Sequence, residues 1–247
     1  MTEIGRLGVS DLRICFGSRQ VVSIDELRLG HAEILGLAGE SGSGKSMTTL
    51  AILGLAHTVG ASVSGSITLD GQELTGLPQE RLREIRGRRI AAIFQSPSTA
   101  FNPVYRVGTI LTKALRLHGA TRSEAPDRAA GALRQVLLSP DLMRRYPSQL
   151  SGGQLQRVAI ALALALRAEI LLADEPTSAL DVTVQAEVLD LLRDLRESIG
   201  MSILFVSHDL AVVAELCDRV AVMREGLIVE QGPASQVLSA PADPYTA

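Results

Sequence analysis

The chain has 247 residues, 46% of them apolar and 21% charged, enough for one sizeable core or a domain carrying an inserted lobe. A net charge of −3 argues against a broad nucleic-acid-binding face, and two distant cysteines, Cys15 and Cys217, exclude a four-cysteine cluster and suit a reducing compartment. Met1 to Arg6 lacks the apolar core of a secretory signal, and the longest apolar run, Val158 to Leu166, is too short to span a bilayer; a soluble protein is expected, reaching any membrane through a partner.

From Leu7 to about Leu37 the pattern is β-rich. Leu12 to Phe16 and Val21 to Ile24 flank a turn-like Gly17-Ser18-Arg19, which predicts a hairpin. Glu33 to Ala38 reads as a short buried strand, and Met47 to Leu53 as a helix. Between them lies Gly39-Glu40-Ser41-Gly42-Ser43-Gly44-Lys45-Ser46, which fits G-x-x-x-x-G-K-[ST]. A strand feeding a glycine-rich loop that opens a helix offers backbone N–H groups at a positive helix end, a geometry suited to phosphate oxygens. Lys45 can reach the β- and γ-phosphates, and the Ser46 hydroxyl can ligate Mg²⁺.

Ser64 to Leu69 leads into the turn signal Asp70-Gly71, and Arg88 to Phe94 reads as a strand ending at Gln95. Past Pro97 and Asn102-Pro103 the composition changes. Val107 to Leu117 and Asp127 to Leu138 have helical spacing, with Ala129, Leu133, Val136 and Leu137 on one apolar stripe, so a helical lobe is expected here. Then follow a helix from Gln154 to Arg167, a strand from Ile170 to Ala173, and a helix from about Val184 to Ser198. A strand at Ile203 to Val206, a helix from Leu210 to Cys217 and a hairpin turning at Glu225-Gly226 complete the chain. Strands alternating with helices predict an α/β fold with a parallel sheet covered on both faces.

Two further stretches carry chemistry. Ile170 to Glu175 is an apolar strand ending in two carboxylates. Asp174 fits as a Mg²⁺ partner of Ser46, and Glu175 can polarise a water that attacks a γ-phosphate. Leu150-Ser151-Gly152-Gly153-Gln154 places Ser and two Gly residues at a helix start. On its residues alone it is either an ordinary N-cap or a second phosphate site.

Leu150 to Arg157, followed by Asp174-Glu175, resembles the signature motif of ATP-binding cassette (ABC) ATPases. The other elements of that family fall in order. Gln95 matches the Q-loop, Ser178-Ala179-Leu180-Asp181 the D-loop, and Ser207-His208-Asp209 the switch histidine. Phe16 sits where the family stacks an aromatic ring on adenine, a core aromatic being the other reading. The resemblance runs from about Leu7 to Gly232. It implies a P-loop NTPase cassette with a RecA-like parallel-sheet core, an N-terminal antiparallel β subdomain and an inserted helical subdomain. Within one domain over 1–247, the core would take about 1–96 and 153–247, and the helical part about 97–152.

The resemblance also implies a head-to-tail pair of cassettes. Phe16 and Gly39 to Ser46 would hold ATP, with Ser46, Gln95 and Asp174 at Mg²⁺ and Lys45, Gln95, Glu175 and His208 in catalysis. Ser151, Gly152, Gly153 and Gln154 would reach the ATP of a partner cassette, and Asp181 would belong to the D-loop. His31, His57 and His118 match nothing and are expected at solvated loops or helix ends.

Phe94 to Pro103, Asp181 to Ala186 and Pro241 to Thr246 resemble the dipeptide, oligopeptide and nickel importer ATPases. Ser96 stands where many of those carry Asp. The short tail, without a cysteine-bearing extension, and the Ala-Phe-Asn-Pro segment look more like the nickel or metallophore members. Implied partners are a second ABC ATPase subunit (a paralogue or another copy), two membrane permeases and an extracytoplasmic solute-binding protein, with no nucleic acid. The implied location is peripheral, on the cytoplasmic face of the membrane. Alternatives are the detached cassette of an exporter or lipoprotein-extraction system, and a soluble cassette acting on nucleic acid.

Overall fold

A computed structural model describes residues 5–96, 100–178 and 180–247. Motif positions Pro97, Ser98, Thr99 and Ala179 lie outside the described residues, as does the start of the chain. Ten strands form one sheet: β1 (Leu7–Phe16), β2 (Arg19–Leu29), β3 (Ile34–Ala38), β4 (Ser62–Leu69), β5 (Gln72–Glu73), β6 (Ile90–Ile93), β7 (Ile170–Asp174), β8 (Ser202–Ser207), β9 (Arg219–Arg224) and β10 (Leu227–Pro233). Their order is β5-β4-β1-β2-β10-β9-β3-β8-β7-β6.

Within it β9, β3, β8, β7 and β6 run parallel, and β2, β1, β4 and β5 antiparallel. The expected hairpins at Gly17 and Glu225-Gly226 both form. The antiparallel strands and the parallel core are one continuous sheet, because β10 pairs with β9 on one side and β2 on the other.

The parallel strands alternate strictly between two apolar layers, as a period of two requires. Ile34, Leu171, Ala173, Ile203 and Phe205 face a core shared with the helices of the middle and later chain. Leu35, Leu37, Ile170, Leu172, Leu204 and Val206 face the opposite core, with Ile52 and the antiparallel strands. All of β3, β7 and β8 are buried, so their C-terminal ends can present polar groups at one edge without exposing the strands themselves.

Helices α1 (Lys45–Ile52), α2 (Gln79–Ile85), α3 (Val107–Leu117), α4 (Glu124–Gln135), α5 (Gly152–Leu166), α6 (Val182–Ile199), α7 (Leu210–Leu216) and α8 (Ala234–Ser239) complete the described structure with three short 3₁₀ turns. α2 is not anticipated by the sequence reading. Only Leu82 and Ile85 of it are buried, two apolar positions being too few to set a period.

Two expectations are corrected. β6 is shorter than Arg88 to Phe94: Arg88 and Arg89 lie in a turn where the Arg89 N–H donates to the Ile85 carbonyl and the Gly87 N–H to the Ile90 carbonyl, both at 2.8 Å. Leu137 is not part of the α4 stripe. It adopts a left-handed backbone just past the helix end and is 83% exposed, while Leu138 turns inward, its N–H bonded to the Leu133 carbonyl.

Among the described residues no helix is long and apolar enough to cross a membrane. Cys15 and Cys217 are both free.

Candidate active site

The phosphate loop joins the buried end of β3 to the start of α1. Gly39 has φ 148°, and a Cβ there would sit 2.1 Å from the Met223 carbonyl oxygen, so only glycine lets the loop pass under β9. Gly226 N–H donates to the Ser43 carbonyl at 2.9 Å, tying the β9–β10 turn to the loop. α1 opens on Gly44 without a side-chain cap, unlike α5, α6 and α7. Its first N–H groups are therefore not claimed by a cap of its own.

Lys45 is only 4% exposed and folds back over the loop. Its Nζ donates to the Gly39 carbonyl at 2.7 Å and the Glu40 carbonyl at 2.8 Å. Burial pulls its pKa below the ordinary lysine value, with the Glu175 and Asp174 carboxylates opposing. Ser46 Oγ donates to Asp174 Oδ1 at 3.1 Å. Asp174 is 7% exposed, and its pKa is pushed up mainly by burial, which outweighs the Ser46 hydrogen bond and the Lys45 charge. A buried carboxylate beside a hydroxyl, both hard oxygen donors, is chemistry that suits a magnesium ion.

Glu175 follows at the end of β7 with φ 47°, a left-handed conformation that costs a non-glycine residue about 1–3 kcal/mol. Its N–H is fixed to the Val206 carbonyl at 2.9 Å. Gln95 Nε2 donates to Glu175 Oε2 at 2.8 Å, and His208 Nδ1 lies 3.0 Å from Oε1. Residues past the ends of β6 and β8 thus converge on the carboxylate past the end of β7.

These groups line a single cleft of about 810 Å³. Phe16, Gly39 to Gly42, Gly44 to Ser46, Gln95, Glu175 and His208 all border it. Phe16, 39% exposed, stands at the end of β1 on the cleft wall. Ser43 and Asp174 lie behind the lining, both buried. Sequence reasoning missed Tyr245 and Thr246, which reach the cleft from the far end of the chain. The signal available for them was Pro241 to Thr246, noted above only as a group resemblance.

Ser151, Gly152, Gly153, Gln154 and Asp181 do not border this cleft. Ser151 caps α5: its side chain accepts from Gln154 N–H at 3.2 Å, and Gln154 Oε1 accepts from Ser151 N–H at 3.1 Å. Asp181 caps α6 through Val184 N–H at 3.0 Å. Ser151 and Gly152 are exposed. The capping geometry and an exposed, donor-rich helix start therefore coexist.

A glycine-lined loop over a helix start, with a buried lysine and two adjacent carboxylates at a strand end, defines a P-loop nucleotide hydrolase. A family model described as ABC transporter matches residues 23–178. The chain belongs to the ABC transporter family, and it is an ATP-binding cassette ATPase.

It is 45% identical over 250 residues to a Brucella abortus protein provisionally named as a peptide import ATP-binding protein, covering 100% of this chain and 75% of that one. It is 45% identical over 253 residues to the glutathione import ATP-binding protein GsiA of Salmonella typhimurium, covering 97% of this chain and 41% of GsiA. The dimeric ATP-binding cassette MJ0796, in a post-hydrolysis state bound to ADP and Pi, is similar in structure. The TM-score is 0.81 at 27% identity, covering 92% of this chain and 98% of that one. The cassette cbiO1 from Clostridium perfringens gives a TM-score of 0.83 at 26% identity, over 96% of this chain and 92% of cbiO1.

Proposed function

We propose that this cassette energises an ABC importer of peptide-type cargo, working as one of two cassettes that share their ATP sites. The observation that carries the catalytic reading is the Glu175 carboxylate held between Gln95 and His208 at the rim of the phosphate-loop cleft. Lys45 would leave the loop carbonyls for the β- and γ-phosphates, and Phe16 would lie against adenine. Ser46 and Asp174, with Gln95, would hold Mg²⁺, which neutralises charge on the phosphates when bound. Glu175 would orient the attacking water and His208 would hold the γ-phosphate side of the site.

The signature residues Ser151 to Gln154 lie outside the cleft of their own chain, which supports their use on a partner's ATP. The partner cassette is a paralogue or a second copy of this chain. Two permeases would dock near Gln95 and the helices between β6 and α5, and an extracytoplasmic solute-binding protein would deliver the cargo. The cassette would sit peripherally on the cytoplasmic face of the membrane.

The importer branch rests on relatives named for peptide and glutathione import, and those names favour peptides over nickel or metal-chelate cargo. They also count against an exporter, a lipoprotein-extraction system or a nucleic-acid-linked ATPase. Affinity capture of the cassette from solubilised membranes tests the proposal. Co-purifying permeases, with ATPase activity stimulated by a peptide-loaded binding protein, would support it. Co-purification with nucleic acid and without permeases would contradict it.

A further inference from the structure

We propose that Tyr245 is a positioning residue of the nucleotide site, holding the first half of the phosphate loop from the C-terminal segment. The inference rests on the ATPase reading above and adds a component that reading does not use. Glu40 N–H donates to the Tyr245 hydroxyl oxygen at 3.1 Å. That N–H belongs to the Gly39–Glu40 peptide group, whose other end, the Gly39 carbonyl, accepts from Lys45 Nζ at 2.7 Å. One peptide plane is thus held at its oxygen by the lysine and at its nitrogen by the tyrosine.

The asymmetry between those two holds gives Tyr245 its role. A glycine at φ 148° places little steric limit on rotation of the peptide that follows it. When Lys45 turns toward phosphate, the hold on the carbonyl is released. The Tyr245 bond remains, and it keeps that plane from rotating.

The tyrosine is itself well anchored. Its ring packs on the Arg224 guanidinium, 4.8 Å from the centroid, and its N–H donates to Asp243 Oδ1 at 2.8 Å. Glu230 on β10 accepts from the Ala242 N–H at 2.8 Å and the Asp243 N–H at 3.2 Å. Arg224 and Glu230 belong to the same hairpin whose Gly226 N–H holds Ser43. One hairpin therefore braces the loop twice, directly at Ser43 and through the tail at Glu40.

The test compares the full chain with Tyr245→Phe, which keeps the ring and loses the acceptor, and with Glu230→Ala, which frees the tail from β10. Lys45→Ala is the control. The readouts are Kd for a fluorescent ATP analogue and hydrogen–deuterium exchange at the phosphate loop. Losing one such hydrogen bond predicts a rise in Kd of about three- to tenfold for Tyr245→Phe. Faster exchange of the Glu40 amide is expected in both variants, with Tm close to wild type for Tyr245→Phe. Unchanged or tighter binding by Tyr245→Phe, where Lys45→Ala loses binding, overturns this inference alone. Failure of the wild-type chain to bind the analogue overturns the ATPase reading and this inference with it.

Discussion

Ser46 Oγ donates to Asp174 Oδ1 at 3.1 Å, joining the last residue of the phosphate loop to the last residue of β7. The two are 128 positions apart in sequence. A buried carboxylate satisfied by one hydroxyl retains acceptor capacity, and burial makes its negative charge costly until a cation arrives. Asp174→Asn should therefore uncouple nucleotide binding from Mg²⁺. ATP affinity in the presence and absence of Mg²⁺, measured by titration calorimetry with and without EDTA, should differ about tenfold or more in the wild type and converge in the variant. An undiminished Mg²⁺ effect in Asp174→Asn would remove Asp174 from the metal site.

Glu175→Gln should keep ATP binding within about threefold of wild type and lower turnover about 100-fold or more, the scale of a lost general base. The amide keeps one acceptor oxygen but cannot take a proton from water. Phosphate release followed in parallel with nucleotide binding separates the two effects. Turnover near the wild-type rate would show that the Gln95–Glu175–His208 cluster is not the catalytic centre.

Gly153→Ala should destabilise the fold. A Cβ at 153 would lie 2.2 Å from Val184 Cγ1, so α5 and α6 touch at a point where a side chain has no room. Overpacking of this kind costs about 1–3 kcal/mol, which corresponds to a fall in Tm of about 2–12 °C for a chain of this size. Val184→Ala in the same chain should recover most of the loss, as measured by thermal unfolding. No recovery would mean that the contact is not the cause.

Glu169 predicts an acid-side effect. Hydrogen bonds from Arg89, aided by its charge and by Arg6, hold the Glu169 pKa below the ordinary value of 4.5 against the effect of burial. At pH values between the two, the unfolded chain binds more protons than the folded one, so the pair's stabilisation rises with pH across that window. It is complete above 4.5 and lost as the pH drops through the lower folded value. Glu169→Gln should thus be less stable than wild type at pH 7, with the gap closing as the pH is taken down through the lowered Glu169 value. A gap that stays constant with pH would show that Glu169 acts through packing alone.

Much of the site was legible because its parts are local in sequence. Gly39 to Ser46 and Asp174-Glu175 each sit at the end of a strand, and the apolar runs before them mark where; Ser151 to Gln154 sit at the start of an apolar helix outside the cleft. The buried strands were equally plain, since β3, β7 and β8 are nearly unbroken apolar stretches. Pairing between distant segments was not legible. Nothing in the spacing places β10 between β9 and β2, or Met223 and Gly226 against the loop, or Tyr245 on Glu40. Those depend on how the sheet curls. Leu137 misled for a different reason: it fits the helical period, but α4 ends two residues before it.

The central claim is that each ATP site is completed by a second cassette. Its most direct test is turnover per cassette, measured beside sedimentation velocity in the same buffer with Mg²⁺ and ATP. ATP binding with only slow hydrolysis is expected while the protein sediments as a monomer, with the rate rising steeply where cassette dimers form. Rapid, concentration-independent hydrolysis by a species that sediments as a monomer would contradict the claim.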